Sequence, residues 1–202
     1  APWHAEDEGS EPQGSAAASD TPVIPHSPLP PEIDPLTVGR EFLTWLWFKS
    51  EERNGMIRLS DGAECEVVFM RRLVLESGDG EYAETVVCQG LHAGLKEGKE
   101  ALRQGKKIST ARLRLALDGA EWEFTFKADR FHFQSMKLPV IGEKNGEETD
   151  REGQVLERIY LIEKAAGVMD QLFRSFLDLR LSSGWKSEQS RMRRWVVQTK
   201  AE

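Results

Sequence analysis

Residues 112–126 read RLRLALDGAEWEFTF, and this stretch decides the fold class. Leucines at 113, 115 and 117 alternate with other residues, an Asp-Gly pair follows, and aromatic residues at 122, 124 and 126 then alternate with polar ones. A period of two is typical of a strand with one buried face, and Asp-Gly favours a tight turn between two such strands. Phe131 and Phe133 continue the pattern. The stretch therefore predicts an antiparallel meander.

Further elements are expected upstream of the meander. The segments 56–59, 64–76 and 82–87 are strand-like, and Ser77-Gly78-Asp79-Gly80 predicts a turn between the last two. Residues 91–104 have helical leucine spacing and end at Gly105, a residue type that suits the position after a helix.

The segment GREFLTWLWFKSEE at 39–52 predicts a helix with apolar side chains around nearly its whole circumference. Those side chains are Phe42, Leu43, Trp45, Leu46, Trp47 and Phe48. Such an element must be enclosed by the fold or must mate with a partner. Phe42, Trp45 and Trp47 are therefore candidate oligomerisation residues.

A long helix is predicted after a polar loop at 141–153. Its apolar positions alternate in steps of four and three: Val155, Ile159, Ile162, Ala166, Met169, Phe173 and Phe176. Leu156, Tyr160, Leu172 and Leu177 make the face wider than a simple coiled-coil seam. The face either packs on the sheet or forms a dimer through Ile159, Met169 and Phe173. Ser182-Ser183-Gly184 ends this helix, and a short basic helix or tail is expected at 185–200.

These patterns together predict an α+β fold, in which a long C-terminal helix packs on an antiparallel sheet meander. Residues 1–36 contain eight of the nine prolines and seven acidic residues, without a lysine or arginine. Such a segment cannot bury enough apolar surface to offset the entropy lost on ordering. We expect a disordered acidic arm at 1–36, a folded domain at 37–185 and a basic tail at 186–202.

The net charge of −7 arises in the arm, because the rest of the chain has 27 acidic residues and 27 basic ones. The acidic total therefore does not argue against a nucleic-acid partner. The sequence has neither a membrane-spanning stretch nor a signal segment, which predicts a cytoplasmic protein without a membrane partner. Cys65 and Cys88 stand in strand-like surroundings and are expected to be free thiols.

The sequence offers no catalytic or metal-binding motif. The four histidines are scattered, and none is spaced from a cysteine or acid as zinc ligands are. No nucleophile elbow, phosphate-binding loop or metalloprotease motif is present. We therefore expect no enzymatic activity and no cofactor.

Two basic sets are candidate DNA-binding residues. One is a strand row, Lys106, Lys107, Arg112 and Arg114, which could follow a phosphate backbone unless Glu121 and Glu123 neutralise it across the hairpin. The other is the tail, with Lys186, Arg191, Arg193 and Arg194. Trp185 and Trp195 interleave with the tail cations and could either stack on bases or dock the tail on the domain.

Part of the chain resembles the bacterial recombination-associated protein RdgC family. The resemblance lies in ALRQGKKISTARLRLALD at 101–118, WEFTF at 122–126 and FQSMKL at 133–138. It also includes the helix at 160–185 and GREFLTWLW at 39–47. The family implies a DNA-binding protein without a cofactor, which dimerises into a ring around duplex DNA and restrains recombination by the RecA recombinase. This chain is shorter than the members of that family, so the resemblance leads us to expect DNA binding in general and not the closed ring.

The leading hypothesis is a nucleoid-associated, dimeric protein that binds double-stranded DNA and modulates recombination or replication, with a recombinase as a further partner. The alternative is a protein-interaction or scaffold module, in which the aromatic helix and the long helix bind partner subunits. A nuclease is the third hypothesis, and it would require metal-dependent degradation of DNA.

Overall fold

The computed structural model describes residues 35–78, 83–90, 93–140 and 151–198, and within them it confirms the α+β class. The helices are α1 (Pro35–Glu52), α2 (Ala93–Arg103), α3 (Arg151–Leu181) and α4 (Trp185–Val197). The strands are β1 (Met56–Arg58), β2 (Glu64–Ser77), β3 (Glu84–Gln89), β4 (Lys107–Leu117), β5 (Ala120–Lys127) and β6 (His132–Lys137). Positions 1–34 of the predicted arm and 141–150 of the predicted loop lie outside the described residues.

The strands form one antiparallel sheet in the order β1-β2-β4-β5-β6, with β3 also paired to β2. The predicted meander is β4-β5-β6, and its central turn is at Asp118-Gly119. Strand β2 has 14 residues, which is long enough to pair along one edge with β1 near Glu66 and with β3 near Leu73. Its other edge pairs with β4.

Helix α1 begins at Pro35, four residues before the predicted start at Gly39. Proline is favoured at the first helical position because its missing N–H would have had no partner there. The helix therefore includes the last two residues of the segment expected to be a disordered arm.

The apolar circumference of α1 is enclosed by the chain itself. Phe42, Trp45 and Trp47 are no more than 5% exposed, because α1 lies on the sheet and is covered by α3 and α4. The Phe42 ring packs edge-on against Phe126 of β5, with 6.4 Å between the ring centroids. The Trp47 ring packs against Trp195 of α4, with centroids 5.1 Å apart.

This enclosure changes the interpretation of the candidate oligomerisation residues. Phe42, Trp45 and Trp47 belong to the core and are unavailable to a partner subunit. Met169 is also buried, and Phe173 packs on Phe131 at a centroid distance of 4.3 Å. These positions are therefore interpreted as core residues and not as a subunit interface. None of the helices in the described ranges is both long and apolar enough to cross a lipid bilayer.

Gly39 lets α1 approach the short helical turn after β5 very closely. A Cβ atom at this position would lie 2.2 Å from the carbonyl oxygen of Ala128. Gly167 of α3 is a useful contrast, because a Cβ atom there would meet nothing within 4 Å. The first glycine is thus required by packing, whereas the second is not.

We expect Gly39→Ala to lower the free energy of unfolding by about 1–3 kcal/mol, since the backbone at Ala128 would have to move. Gly167→Ala should raise it by about 0.5–1 kcal/mol, because alanine favours the helix and meets no obstacle. Urea unfolding of both variants checks this pair. Equal effects of the two substitutions would show that α1 does not contact the Ala128 turn so closely.

Candidate nucleic-acid interface

A groove of about 650 Å³ lies where α1, the end of α2, the start of β4 and α4 meet. We call it the α4 groove. Its walls combine apolar side chains with four cations, Arg103, Lys106, Lys107 and Arg193, and with one acid, Glu41, which lies 3.3 Å from the Lys107 ammonium. Lys106 and Lys107 begin the predicted strand row, and Arg193 belongs to the predicted tail. The fold therefore brings together members of two basic sets that are far apart in the sequence.

A tight corner at Gly105 positions the two lysines. Gly105 has a φ of +88°, a left-handed conformation that side chains other than hydrogen disfavour. Its N–H donates to the carbonyl of Leu102 at 3.0 Å, and the N–H of Lys106 donates to Ala101 at 3.0 Å. These bonds close α2, as is typical of a glycine that follows a helix. The chain then enters β4 beside α4.

A β-bulge separates Lys106 and Lys107 from the rest of the row. Leu75 pairs with Ile108 whereas Leu73 pairs with Ala111, so Ser109 is an extra residue on β4. One extra residue reverses the alternation of side chains, and both Ile108 and Ala111 are buried. Lys106 is consequently only 7% exposed, and its ammonium lies 2.8 Å from a carboxylate oxygen of Glu84. Hydrogen bonding to Lys106 lowers the pKa of Glu84.

The remaining cations of the strand row are paired with carboxylates. Arg114 lies 3.4 Å from Glu66 and 3.8 Å from Glu121, on the two flanking strands. Arg112 lies 3.2 Å from Glu123, whose pKa is lowered by hydrogen bonds from Lys137 and Arg112. Glu121 and Glu123 therefore do neutralise arginines of the strand row, a possibility that the sequence left open. This face of the sheet presents a neutral ion-pair lattice rather than a row of free cations.

The tail forms α4, and its cations have different surroundings. Arg191 pairs with Glu52 and, at 2.8 Å, with Glu188. Lys186, Arg193 and Arg194 are exposed, and no carboxylate in the described part of the chain pairs with them. Three of the four predicted tail residues are therefore available to an anion.

The tryptophans of α4 anchor the helix instead of offering stacking surfaces. Trp195 is buried, and its indole N–H donates to Glu51 of α1 at 2.7 Å. Trp185 is also buried, with the Arg180 guanidinium 5.2 Å from its ring centroid. Its indole N–H has no acceptor among the described residues. Of the two roles that the sequence allowed for these rings, the structure supports docking on the domain.

Glu188 is a residue that sequence analysis passed over. It is 5% exposed, and its carboxylate receives the indole N–H of Trp45 at 3.1 Å. Lys49 of α1 lies 2.6 Å from the same carboxylate. Its position as the only acid in a basic helix is a sequence signal for this role. The buried carboxylate fastens α4 to α1 and thereby forms one wall of the groove.

A second surface is the exposed beginning of α3. Val155, Leu156, Ile159, Tyr160 and Ile162 are between 45% and 61% exposed. The later part of the same helix is buried at Leu161, Ala165, Val168, Met169, Leu172 and Phe176. We call the five exposed positions the α3 face. Of the predicted oligomerisation residues, Ile159 alone lies on it.

The described residues present little for catalysis. No group of three or more His, Cys, Asp or Glu side chains among them could hold a metal ion. Both cysteines are free and buried, and burial raises the pKa of Cys65 to about 11 and also raises that of Cys88. Thiols with a raised pKa are poor nucleophiles at neutral pH. Of the cations that line the α4 groove, Arg193 has no carboxylate partner in the described residues, whereas Arg103, Lys106 and Lys107 each have one.

Comparisons of the chain with protein-family models, with curated proteins and with solved structures found no match. The resemblance to the RdgC family therefore depends on the residues quoted from the sequence.

Glu188→Gln should lower the free energy of unfolding by about 2–4 kcal/mol, because it removes the negative charge that Lys49 and Arg191 face in a buried site. The matched control is Glu157→Gln, an exposed position on α3 that should change stability by less than about 0.5 kcal/mol. Thermal and urea unfolding measure both. Similar stabilities for the two variants would mean that Glu188 does not hold α4 in place.

Proposed function

We propose that this chain is a non-enzymatic protein that binds double-stranded DNA through the α4 groove, largely without regard to sequence. The observation that carries the proposal is the set of exposed α4 cations, one of which, Arg193, lines the groove. Cations contribute most when no carboxylate already neutralises them, and Lys186, Arg193 and Arg194 meet that condition.

The spacing of the free cations on α4 suits a phosphate backbone. Lys186 and Arg193 are seven residues apart, which places them on nearly the same face, about 10 Å apart along the helix axis. Long cationic side chains on one face of a helix can reach phosphates of the same strand, so both can contribute to binding.

Sequence independence follows from the kind of contact available. Ammonium and guanidinium groups that meet phosphates carry no information about the bases. The two tryptophans that could have stacked on bases are buried in the docking of α4. The binding free energy should come mainly from released counterions, and it should fall steeply with salt.

By its resemblance to RdgC, the proposal extends to modulation of recombination or replication by a cytoplasmic, nucleoid-associated protein, with a recombinase as a further partner. The strand row plays a smaller part than the tail in this proposal, since each of its cations is already paired.

A triple reversal tests the unpaired cations of α4. Lys186→Glu, Arg193→Glu and Arg194→Glu together should weaken binding to all duplex sequences alike. The slope of log affinity against log salt concentration should become shallower by about 2–3, at about 0.9 per lost phosphate contact. Fluorescence anisotropy with labelled duplexes of unrelated sequence, with and without magnesium, measures this and also detects any degradation of the DNA.

The control is a triple reversal of exposed cations on other elements, Arg58→Glu, Lys127→Glu and Arg130→Glu, which changes the net charge equally. It should reduce affinity far less than the α4 triple. Equal losses in the two triples would place the DNA site elsewhere. If the wild-type protein binds no DNA at low salt, the proposed function is wrong.

The α3 face favours a second candidate function, a protein-interaction module, and within the first function it supports a dimer. Exposed apolar residues that lie together on one helix usually mark an interaction surface. Residues 151–164 contain three basic and three acidic residues, so two copies can pack there without net repulsion. A homodimer through this face is the form we propose.

Light scattering at micromolar concentration should give about twice the chain mass of 22.9 kDa. Leu156→Glu combined with Ile159→Glu should return the protein to a monomer without loss of fold, since both side chains are exposed. Arg158→Glu, which lies between them, is the control and should remain dimeric. A monomeric wild-type protein would contradict the proposed dimer.

A further inference from the structure

The α4 groove is only partly matched by duplex DNA. Arg193 in its wall, and Lys186 and Arg194 on the same helix, have no carboxylate partner in the described residues and suit phosphates. Leu102, Met192 and Val196 also line the groove, and a phosphate backbone leaves such apolar walls uncovered. Trp185, another wall residue, has a buried indole N–H without an acceptor among the described residues. An occupant with both an apolar group and several carboxylates would match all of these features.

The chain itself contains such a segment. Residues 3–11 read WHAEDEGSE, with one tryptophan and four acidic residues, and positions 1–34 contain no lysine or arginine. We propose that residues 3–11 bind in the α4 groove and compete there with DNA. The proposal rests on the proposed function only in naming DNA as the competitor.

Covalent attachment favours this contact. The segment precedes α1, and Glu41 and Thr44 of α1 line the groove, about 9–14 Å along the helix axis from Pro35. Positions 12–34 could span at most about 75 Å when fully extended, so the segment can reach the groove. Attachment of this kind gives an effective concentration in the millimolar range for linkers that can span the distance.

The consequence is autoinhibition. When the segment occupies the groove, DNA can bind only to the molecules whose groove is open. The apparent association constant for DNA is therefore the intrinsic one multiplied by the fraction of molecules with an open groove. An occupancy of about 80% would reduce the affinity about fivefold. Both contacts are between charged groups, so salt weakens the binding of the segment to the groove and also the binding of DNA.

A spin label tests the contact without DNA. The two native thiols are buried with a raised pKa, so a label can be directed to Ser10→Cys in the full chain. At low salt the label should broaden the amide signals of Leu102, Met192 and Val196, and 0.5 M salt, at which the screening length is about 4 Å, should restore them. Groove signals that stay sharp at low salt would overturn the proposal.

Neutral amides in the segment provide the matched variant. Glu6→Gln, Asp7→Asn, Glu8→Gln and Glu11→Gln together should abolish the broadening and should increase the affinity for duplex DNA about fivefold. Four exposed acids outside the α3 face and the groove serve as the charge control, Glu64→Gln, Glu97→Gln, Asp118→Asn and Asp178→Asn. This control should increase the affinity clearly less, and an equal increase would overturn the competition.

The outcomes separate the two proposals. Broadening at the groove in a protein that binds no DNA would support the segment contact and remove the proposed function. Unchanged groove signals, together with equal DNA affinity in the wild-type and amide variants, would remove the segment contact and leave DNA binding in place.

Discussion

The enclosure of α1 is the constraint on which the rest of the structure depends. A helix that is apolar around its whole circumference cannot lie at the edge of a fold, because any uncovered side would expose aromatic rings to water. The sheet covers one side of α1, and α3 and α4 cover the others. Enclosure also leaves the indole N–H of Trp45 without water, so an acceptor must come from the fold. Glu188 supplies that acceptor, and a helix rich in arginine is thereby fastened to the core through its single carboxylate.

The same constraint explains how a chain with an acidic total can have a basic surface. On the sheet, Arg112, Arg114 and Lys137 are matched by glutamates on neighbouring strands. On α4 the only acid is turned inward to α1, so Lys186, Arg193 and Arg194 have no carboxylate partner in the described residues. Burial of one acid thus has an electrostatic effect on the opposite side of the helix, where Lys186 and Arg193 are exposed.

Much of the architecture could be predicted from local patterns, whereas the details of the site could not. Alternation at 113–126 predicts the β4–β5 hairpin, and the apolar spacing at 155–176 predicts α3, because each signal lies in one continuous stretch of sequence. The bulge at Ser109 arises from the register between β2 and β4, which no local pattern shows, and it determines that Lys106 is buried. Likewise, the periodicity of α3 continues without a break from Val155 to Phe176. Only packing against the sheet determines that the later residues are covered and the earlier ones are not.

The length of α3 has a geometric consequence. The α3 face is centred near Ile159, and the helix continues to Leu181 before the short turn into α4. At about 1.5 Å per residue, about 35 Å of rigid helix separates that face from the start of α4. The α3 face and the start of α4 therefore lie at opposite ends of one helix, so the proposed dimer contact and the proposed DNA contact use separate surfaces.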